Sequence, residues 1–311
     1  MSETVQHRAA SGRDGGRRRG RTLEAWRLFV GQGWSNAGAV AALFVTLLIV
    51  TAAVLAPYVA PTDPYDLARL SIMDARLPPG AAALNGDVRL LGTDGVGRDM
   101  LSAMLYGLRL SIIVAVCSTA IAVVTGAGVG LVAAYFGGVV DAFIMRIVDI
   151  KLGFPSILIA LILLAIVGPG VDKIIVAIAV AQWAIYVRIM RSSALIERER
   201  EYILACRGLR LGTAVILFRH LLPNCLPPLI VVATVQVANA VAIEATLSFL
   251  GLGLPPTEPS LGLLIANGFE YLLIGEWWIS LSPGIVLLVT ILCINLVGDR
   301  IREILNPKLR H

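Results

Sequence analysis

Six stretches of this 311-residue chain carry no charged side chain and are long enough, or nearly long enough, to cross a lipid bilayer. About 30 Å of hydrocarbon needs roughly 20 helical residues, because each residue adds about 1.5 Å. A soluble domain of this length could not bury them all, whereas lipid takes the place of the missing core. The six stretches are residues 37–57, 110–134, 152–167, 174–187, 221–243 and 277–298.

The composition indicates the same class of protein. Hydrophobic residues make up 57% of the chain and charged residues 15%, against about 45–50% and 25% in ordinary soluble domains. Neither the histidines nor the cysteines have the spacing of a metal site or a disulfide framework. We therefore expect an all-α membrane protein with about six transmembrane helices, no metal site, and four unpaired cysteines: Cys117, Cys206, Cys225 and Cys293.

Basic residues orient the predicted bundle, since they concentrate in cytoplasmic loops. Arginines crowd residues 1–36 and 188–219, whereas residues 251–276 have no basic residue. With six spans, both termini and the 188–219 segment are predicted to be cytoplasmic. The predicted organisation is a disordered basic tail (1–36), a first transmembrane helix (37–57), an external loop (58–105), a membrane core (106–305) and a cytoplasmic tail (306–311). We interpret the basic tail as orientation-setting and not as a nucleic-acid-binding segment.

The chain lacks the residues that would power transport by itself. None of its three lysines completes the Gly-x4-Gly-Lys-Ser/Thr loop that cradles nucleotide phosphates, and no nucleophile–base pair stands out. The glycines at 126, 128 and 130 suit close helix packing better than a nucleotide site. Glu244 is the one acid deep between spans, which is little support for ion coupling. We therefore expect no catalytic residues and an energy source in a partner.

The segment at residues 192–223 is the candidate for contact with that partner. Apolar and charged residues are mixed there in the pattern of an amphipathic helix. Gly208 and Gly212 are predicted to permit a turn, Thr213 to cap a second short helix, and Pro223 to open the next span. From the residues alone, such a helix could seat in a groove on a soluble partner or rest on lipid headgroups.

This segment resembles the coupling loop of binding-protein-dependent ABC importer permeases. That loop reads Glu-Ala-Ala, three residues, Gly, nine residues, then Ile-x-Leu-Pro. The matching positions are Leu204-Ala205-Cys206, Arg210 and His220-Leu221-Leu222-Pro223. Three of these positions depart from the family pattern, with Leu204 in place of Glu, Cys206 in place of Ala and Arg210 in place of the turn glycine. We expect Gly208 and Gly212 to supply the missing flexibility.

Further blocks narrow the resemblance to the dipeptide, oligopeptide and nickel permeases. They cover the chain from about residue 91 to its end. A first span followed by a large outer loop resembles the C-type permease of the pair. The blocks are Glu201-Tyr202, Phe218 to Asn224, Leu91 to Asp94, Gly97 to Asp99, Gly107 to Ser111, Phe154-Pro155-Ser156, Glu244 to Gly253, Pro255-Pro256 and Pro259 to Gly262.

The resemblance implies a type I importer bundle that forms half of a pathway in a prokaryotic inner membrane. Its partners would be a second permease, two ATPase subunits that use ATP, and an external solute-binding protein. This chain would bind no cofactor and no nucleic acid. Glu244 and Ser248 are candidates for the pathway or a gate. The residues assigned to the ATPase-coupling loop are Glu201, Ala205, Cys206, Gly208, Leu209, Arg210, Gly212, His220 and Pro223.

Other functions stay open at this point. The same architecture could carry nickel, an opine or a small glycoside in place of di- or oligopeptides. An ion-coupled secondary transporter would need buried charge pairs or inverted repeats. Two outer segments, 63–99 and 253–276, are predicted to face the solute-binding protein or the outer mouth. Pro155 is interpreted as a helix kink.

Overall fold

The computed structural model describes residues 37–66, 70–255 and 257–305. The predicted tails at 1–36 and 306–311, together with Pro256, lie outside the described residues. Ten helices, numbered in chain order, make up most of the described chain. They are α1 (Ala37–Val54), α2 (Ala56–Val59), α3 (Met100–Phe136), α4 (Gly138–Leu152), α5 (Ser156–Val167), α6 (Val171–Glu197), α7 (Glu201–Gly208), α8 (Thr213–Phe249), α9 (Leu261–Phe269) and α10 (Trp278–Leu305).

The prediction of an all-α membrane protein is confirmed. Helices α1, α3, α6, α8 and α10 are each long and apolar enough to cross a membrane, and α4 with α5 forms a bent sixth candidate. The segment between α2 and α3 contains a two-residue antiparallel pair, β1 (Ala81–Ala82) and β2 (Val88–Arg89). Short 3₁₀ turns at Ile72–Asp74 and Leu272–Ile274 complete the described elements.

Contacts between distant segments define two ends of the bundle. At one end, here the loop end, Trp278 Nε1 donates to the Thr93 carbonyl at 3.4 Å and Arg76 pairs with Glu276. At the other, here the α7 end, Arg198 Nη1 donates to the Ala134 carbonyl at 2.6 Å. The described residues therefore contain up to six candidate crossings, counting the bent pair α4–α5 as one.

The predicted third span at 152–167 is not a single helix of membrane length. Helix α4 continues to Leu152, α5 has only 12 residues, and the two axes meet at 89°. At about 18 Å, α5 alone is too short to cross 30 Å of hydrocarbon. Pro155 lies directly before α5; it lacks an amide N–H and keeps the preceding residue out of helical conformation. The expected kink is thus a complete break.

Charged residues tie α4 to α6. The Arg191 guanidinium makes two hydrogen bonds to the Asp141 carboxylate, and Arg188 Nη2 donates to Asp149 Oδ1 at 2.6 Å. A guanidinium and a carboxylate match in this two-bond geometry. These pairs hold the polar helix α4 beside the end of α6 that leads into α7.

The fifth span begins earlier than the sequence predicts. Helix α8 starts at Thr213 and runs through a π-helical turn at Ile216–Leu221. Pro223 therefore lies inside a longer helix, where its missing N–H falls beside the widened turn. Thr213 is the first helical residue and Gly212 occupies the N-cap position, so the predicted Thr213 cap is wrong.

Helix α3 also begins earlier than residue 106, the predicted start of the membrane core. It starts at Met100 because Asp99 occupies the N-cap position, where its carboxylate accepts the Ser102 backbone N–H at 2.8 Å. The preceding segment is held by buried polar contacts, among them the ion pair between Arg98 Nε and Asp94 Oδ2 at 3.0 Å. This end of the predicted external loop is therefore ordered structure.

Glycines bring α3 and α6 into close contact. A Cβ atom at Gly126 would lie 2.7 Å from the Trp183 carbonyl oxygen, and one at Gly130 would lie 2.5 Å from the Val187 oxygen. Gly128 points to open space. The arrangement is that of small residues spaced by four, which lets two membrane helices approach with their backbones in contact.

We predict that Gly130→Ala destabilises the bundle and Gly128→Ala does not. The added methyl at 130 meets backbone that cannot move aside, which costs about 1–3 kcal/mol, whereas the methyl at 128 meets no atom. Thermal unfolding of the purified variants in detergent measures the difference. Equal midpoints for the two variants would show that α3 and α6 are not packed through Gly130.

Candidate functional site

Helix α7 lies at the α7 end of the bundle, with one side buried and the other exposed. Ile203 and Cys206 are buried in a cluster with residues of α3, α6 and α8. Spaced by three, they form a single stripe on a helix. On the remaining surface Leu204 is 49% exposed, and Ala205 and Glu201 are also exposed.

A hydrogen-bonded chain links α7 to the two spans beside it in sequence. Tyr202 Oη donates to Glu197 Oε1 of α6 at 2.8 Å, and Asn224 Nδ2 of α8 donates to Tyr202 Oη at 3.0 Å. Burial first, and then the bond to Glu197, raises the pKa of Tyr202 to about 12. The hydroxyl therefore stays protonated near neutral pH and can donate this bond.

Arginines attach the same segment to the end of α3. Arg198 donates to the Ala134 carbonyl, and the Arg207 guanidinium lies 5.5 Å from the centre of the Tyr135 ring. Cation–π contact of this kind stabilises by about 0.5–1 kcal/mol at an exposed site. Helix α7 is thus joined to α3, α6 and α8 together, and it cannot tilt without disturbing all three.

The turn after α7 is made at Arg210, the residue that the resemblance aligns with the family's turn glycine. Arg210 has a φ of +55°, in the left-handed region. Its N–H bonds to the Arg207 carbonyl at 2.9 Å and the Leu211 N–H to the Cys206 carbonyl at 3.1 Å. Together these bonds form a Schellman motif, whose left-handed position is usually glycine. Arg210 therefore takes the conformation itself.

The expectation that Gly208 and Gly212 supply the turn's flexibility is therefore wrong. Neither has a positive φ, and a Cβ atom at either would meet nothing within 4 Å. Gly208 ends α7 and Gly212 precedes α8. Because both positions are exposed, a side chain there would extend the surface of the α7 segment.

The remaining coupling-loop residues lie on the same segment. Leu209 is 75% exposed beside Arg210. His220 is partly buried in the π-helical turn, where its carbonyl accepts a bond from Asn224 Nδ2 at 2.7 Å, and Pro223 is exposed on α8. The structure thus brings these residues to one end of the bundle. Their part in coupling stays a prediction.

Glu244 lies inside the bundle, fully buried between helices. Its Oε2 accepts a bond from Ser111 Oγ of α3 at 2.6 Å and its Oε1 accepts one from Ser248 Oγ of α8 at 2.8 Å. Ser260, which caps α9, lies beside this carboxyl group. Glu244 therefore bonds α8 to α3, next to the start of α9. A part for Glu244 and Ser248 in the pathway or gate stays a prediction.

Family resemblance is the sequence signal that points to this cluster. Ser111, Ser248 and Ser260 lie in three of the quoted blocks, but no spacing rule connects residues of three different helices. Glycines allow their approach, since a Cβ atom at Gly262 would lie 2.1 Å from the Ala245 carbonyl oxygen. A polar residue in an apolar span must find partners on its neighbours.

The part of the chain that the structure describes contains no residue group suited to metal binding and no disulfide. Its His, Cys, Asp and Glu residues form no group of three that could hold a metal ion. All four cysteines are free, and Cys206, Cys225 and Cys293 are buried.

Comparison with known protein families identifies the class of the chain. Residues 126–311 match the model of the binding-protein-dependent transport system inner membrane component, and residues 24–79 match the N-terminal TM domain of oligopeptide transport permease C. The chain therefore belongs to the binding-protein-dependent transport system inner membrane component family. It is a multi-pass membrane permease subunit of an ABC importer, as its fold and sequence resemblance predict.

Named relatives match along most of the chain. The di/tripeptide transport system permease protein DppC of Pseudomonas aeruginosa (strain UCBPP-PA14) is 39% identical over 93% of this chain and 92% of its own length. The dipeptide transport system permease protein DppC of Escherichia coli (strain K12) is 39% identical over 92% and 93%. The corresponding Haemophilus influenzae protein is 36% identical over 88% and 92%.

A solved structure supports the fold. An inward-facing form of the MetNI methionine ABC transporter aligns with a TM-score of 0.53 at 23% identity, over 66% of this chain and 97% of that chain. At this identity the likeness concerns the fold alone.

We predict that Arg210→Gly stabilises the α7 turn and Arg207→Gly destabilises it. Glycine pays no steric penalty at the left-handed position, a gain of about 1 kcal/mol, but it costs about 1 kcal/mol inside a helix. Hydrogen exchange at the Leu211 amide should slow about fivefold in the first variant and speed up in the second. Faster exchange in Arg210→Gly would contradict the Schellman geometry.

We predict that Glu244→Ala destabilises the bundle much more than Glu244→Gln. Alanine leaves the hydroxyls of Ser111 and Ser248 without this partner and opens a cavity, at a cost of about 2–5 kcal/mol. Glutamine keeps the shape and offers partners for both hydroxyls. Unfolding midpoints in detergent measure both. If the two variants lost equal stability, the hydrogen-bonded cluster would not be what holds these helices.

Proposed function

We propose that this chain is the C-type permease of an importer for di- or oligopeptides and forms half of its translocation pathway. Two comparisons support a peptide as the solute. The relatives matched along most of the chain are named for dipeptide or di/tripeptide transport, and residues 24–79 match a domain named for oligopeptide transport permease C. Nickel or another small solute remains the alternative within the same architecture.

We further propose that α7 receives the movement of the ATPase subunits. The observation that carries this proposal is the division of α7 into a stripe anchored by Ile203 and Cys206 and an opposite surface that includes Leu204 and Ala205. An apolar helix surface of this kind can seat in a groove of a soluble partner. The bonds from α7 to α3, α6 and α8 would carry the displacement into the membrane.

The proposed complex contains a second permease, two ATPase subunits and an external solute-binding protein. Arginines crowd the α7 segment, so the α7 end is proposed to face the cytoplasm together with both termini. ATP would be bound and hydrolysed by the ATPase subunits, and this chain would have no catalytic role. The α7 segment must bind the ATPase better in one conformational state than in another for work to be transmitted.

Two measurements on the complex test this function. The tagged chain is purified from its native membrane in mild detergent, and its partners are identified by mass spectrometry. Uptake of a labelled dipeptide into proteoliposomes is then measured with ATP and the solute-binding protein, with labelled nickel as the comparison. Recovery of a second permease and ATPases, with ATP-dependent dipeptide uptake, supports the proposal. Recovery of the chain alone would contradict it. Uptake of nickel without uptake of the dipeptide would identify nickel, in place of a peptide, as the solute.

We predict that Ala205→Glu prevents ATPase binding without lowering the amount of folded protein. Position 205 is exposed, so the added carboxylate meets the partner and not this chain. A buried charge in the interface should weaken retention of the ATPase about tenfold or more. Gly208→Glu should behave in the same way, because position 208 is open.

Ile203→Glu is the contrasting variant, because it places a carboxylate on the fully buried side of α7. It should reduce the amount of folded protein as well as transport, since a buried unpaired charge destabilises the subunit itself. Protein level by fluorescence size-exclusion chromatography and retention of ATPase on the tagged chain separate the two effects. Full ATPase retention and normal uptake in Ala205→Glu would mean that α7 rests on lipid headgroups instead.

A further inference from the structure

The middle of α8 has an exposed surface that is polar. Between residues 231 and 248 the only exposed side chains of this helix are those of Asn239 and Thr246. They are separated by two helical turns and so lie on one side of the helix. Val235 and Ala242 lie beside them on that side and are partly exposed. These four residues are here called the Asn239 face.

The Asn239 face lies at the depth of the hydrocarbon. The backbone carbonyl of Gln236, one turn before Asn239, accepts a bond from Gln182 Nε2 of α6 at 3.3 Å. Gln182 lies well inside the charge-free stretch 174–187, with at least about 7 Å of helix on either side of it. Asn239 is one turn away from that depth and is therefore inside the membrane.

Other exposed surfaces of the spans are suited to contact with lipid. On α10 every exposed position between residues 281 and 296 holds Leu or Ile, namely Leu281, Ile285, Leu288, Leu292 and Leu296. The exposed hydroxyls of Thr51, Thr125 and Thr246 each donate to a carbonyl one turn earlier in the same helix, at 2.7 Å. Lipid can cover such surfaces because no polar group is left without a partner.

Asn239 differs from these threonines, because its own helix satisfies only part of its amide. Its Nδ2 donates one bond to Gln236 Oε1, and Gln236 is only 6% exposed, which holds the amide in place. The described residues offer no donor to Asn239 Oδ1 and no acceptor to its second N–H. Because the side chain is exposed, both groups can be reached from outside the subunit. Unpaired polar groups are costly in hydrocarbon, so this face must meet a polar neighbour.

The free groups of Asn239 match those of a peptide bond. A side-chain amide offers a carbonyl acceptor and an N–H donor in one plane, and a peptide group offers the same pair. The two can therefore form two hydrogen bonds with each other. The Asn239 face carries no imidazole, thiol or carboxylate, so it suits a nickel ion less well.

We propose that the Asn239 face lines the solute pathway and that Asn239 binds the peptide bond of the passing solute. The choice of solute rests on the proposed function, in which this chain forms half of the pathway. The short side chains around Asn239 leave room for a solute beside it. This contact recognises the backbone that all peptides share and not their side chains, so it is compatible with many peptides.

The first test measures whether water reaches the Asn239 face. Asn239→Cys and Leu288→Cys are made in a chain whose exposed cysteine, Cys117, is replaced by alanine. The assembled complex is treated with a charged methanethiosulfonate, which reacts with the thiolate and therefore needs water at the site. The variant at position 239 should react at least about tenfold faster than the variant at 288, in the nucleotide-free or the ATP-bound complex. An excess of dipeptide should slow the reaction.

The second test measures whether Asn239 contacts the peptide bond. ATP-dependent uptake into proteoliposomes is compared for L-alanyl-L-alanine and for its analogue methylated at the peptide nitrogen, which lacks the N–H donor. Asn239→Leu should lower uptake of the dipeptide about tenfold and uptake of the analogue by less. The preference of the solute-binding protein cancels, because the same protein serves both chains. Asn239→Gln keeps the amide and should keep the preference, as should the control Thr125→Ala on α3.

Three results would overturn the proposal. Equally slow reaction at positions 239 and 288 in both states would show that lipid or the second permease covers the face. Loss of the second permease from Asn239→Leu during purification would identify that subunit as the occupant. Fast reaction at position 239 with an unchanged preference in Asn239→Leu would exclude the contact with the peptide bond.

Failure of the proposed function gives a different result. The unaltered complex would then take up no dipeptide, which contradicts a peptide as the solute and with it the contact to a peptide bond. The thiol reaction at position 239 does not depend on the solute, so it would still decide whether the Asn239 face lines an aqueous path.

Discussion

The contact between α3 and α6 is the packing on which the rest of the bundle depends. Gly126 and Gly130 let the two backbones meet, and both helices then extend to the α7 end. There Arg198 and Arg207 reach the last turn of α3, and Glu197 at the end of α6 accepts the Tyr202 hydroxyl. In lipid the hydrophobic effect does not drive helices together, so close approach and polar bonds must do so. The position of α7 is therefore a consequence of how the two spans pack.

Polar contacts fix the positions of the helices relative to one another, whereas apolar side chains alone would let the helices slide past each other. Glu244 joins α3 to α8, and charged pairs hold α4 along α6. A buried carboxylate with hydroxyl partners on other helices is satisfied in one relative position of those helices only. The exposed apolar surfaces of the spans, by contrast, have no such constraint. The polar contacts thus fix the register of the helices, in addition to the close glycine packing of α3 and α6.

Much of the fold could be predicted because a helix that crosses lipid must reach a minimum length and carry almost no charged side chain within the bilayer. Every predicted span overlaps a helix of the structure, and the glycine cluster packs as expected. The sequence indicated a kink at Pro155 but not its extent, because a proline can either bend or end a helix. The early start of α8 could not be predicted, because charge-free length does not mark where a helix begins. For the site, the segment predicted from the sequence contains α7 and the turn after it, and its role in coupling stays a prediction. Its turn geometry could not be predicted, since two local backbone bonds place Arg210 in a left-handed conformation that glycine usually adopts.

The geometry of α7 bears on how a movement could pass into the membrane. A helix of eight residues is too short to be stable alone, so its orientation is set by its anchors on α3, α6 and α8. Because three spans share these anchors, a force on α7 cannot be absorbed by rotation of one of them. The left-handed Arg210 closes the segment with two backbone bonds in place of a flexible glycine turn. A stiff, three-point attachment transmits displacement, whereas a loop tethered at one point would dissipate it.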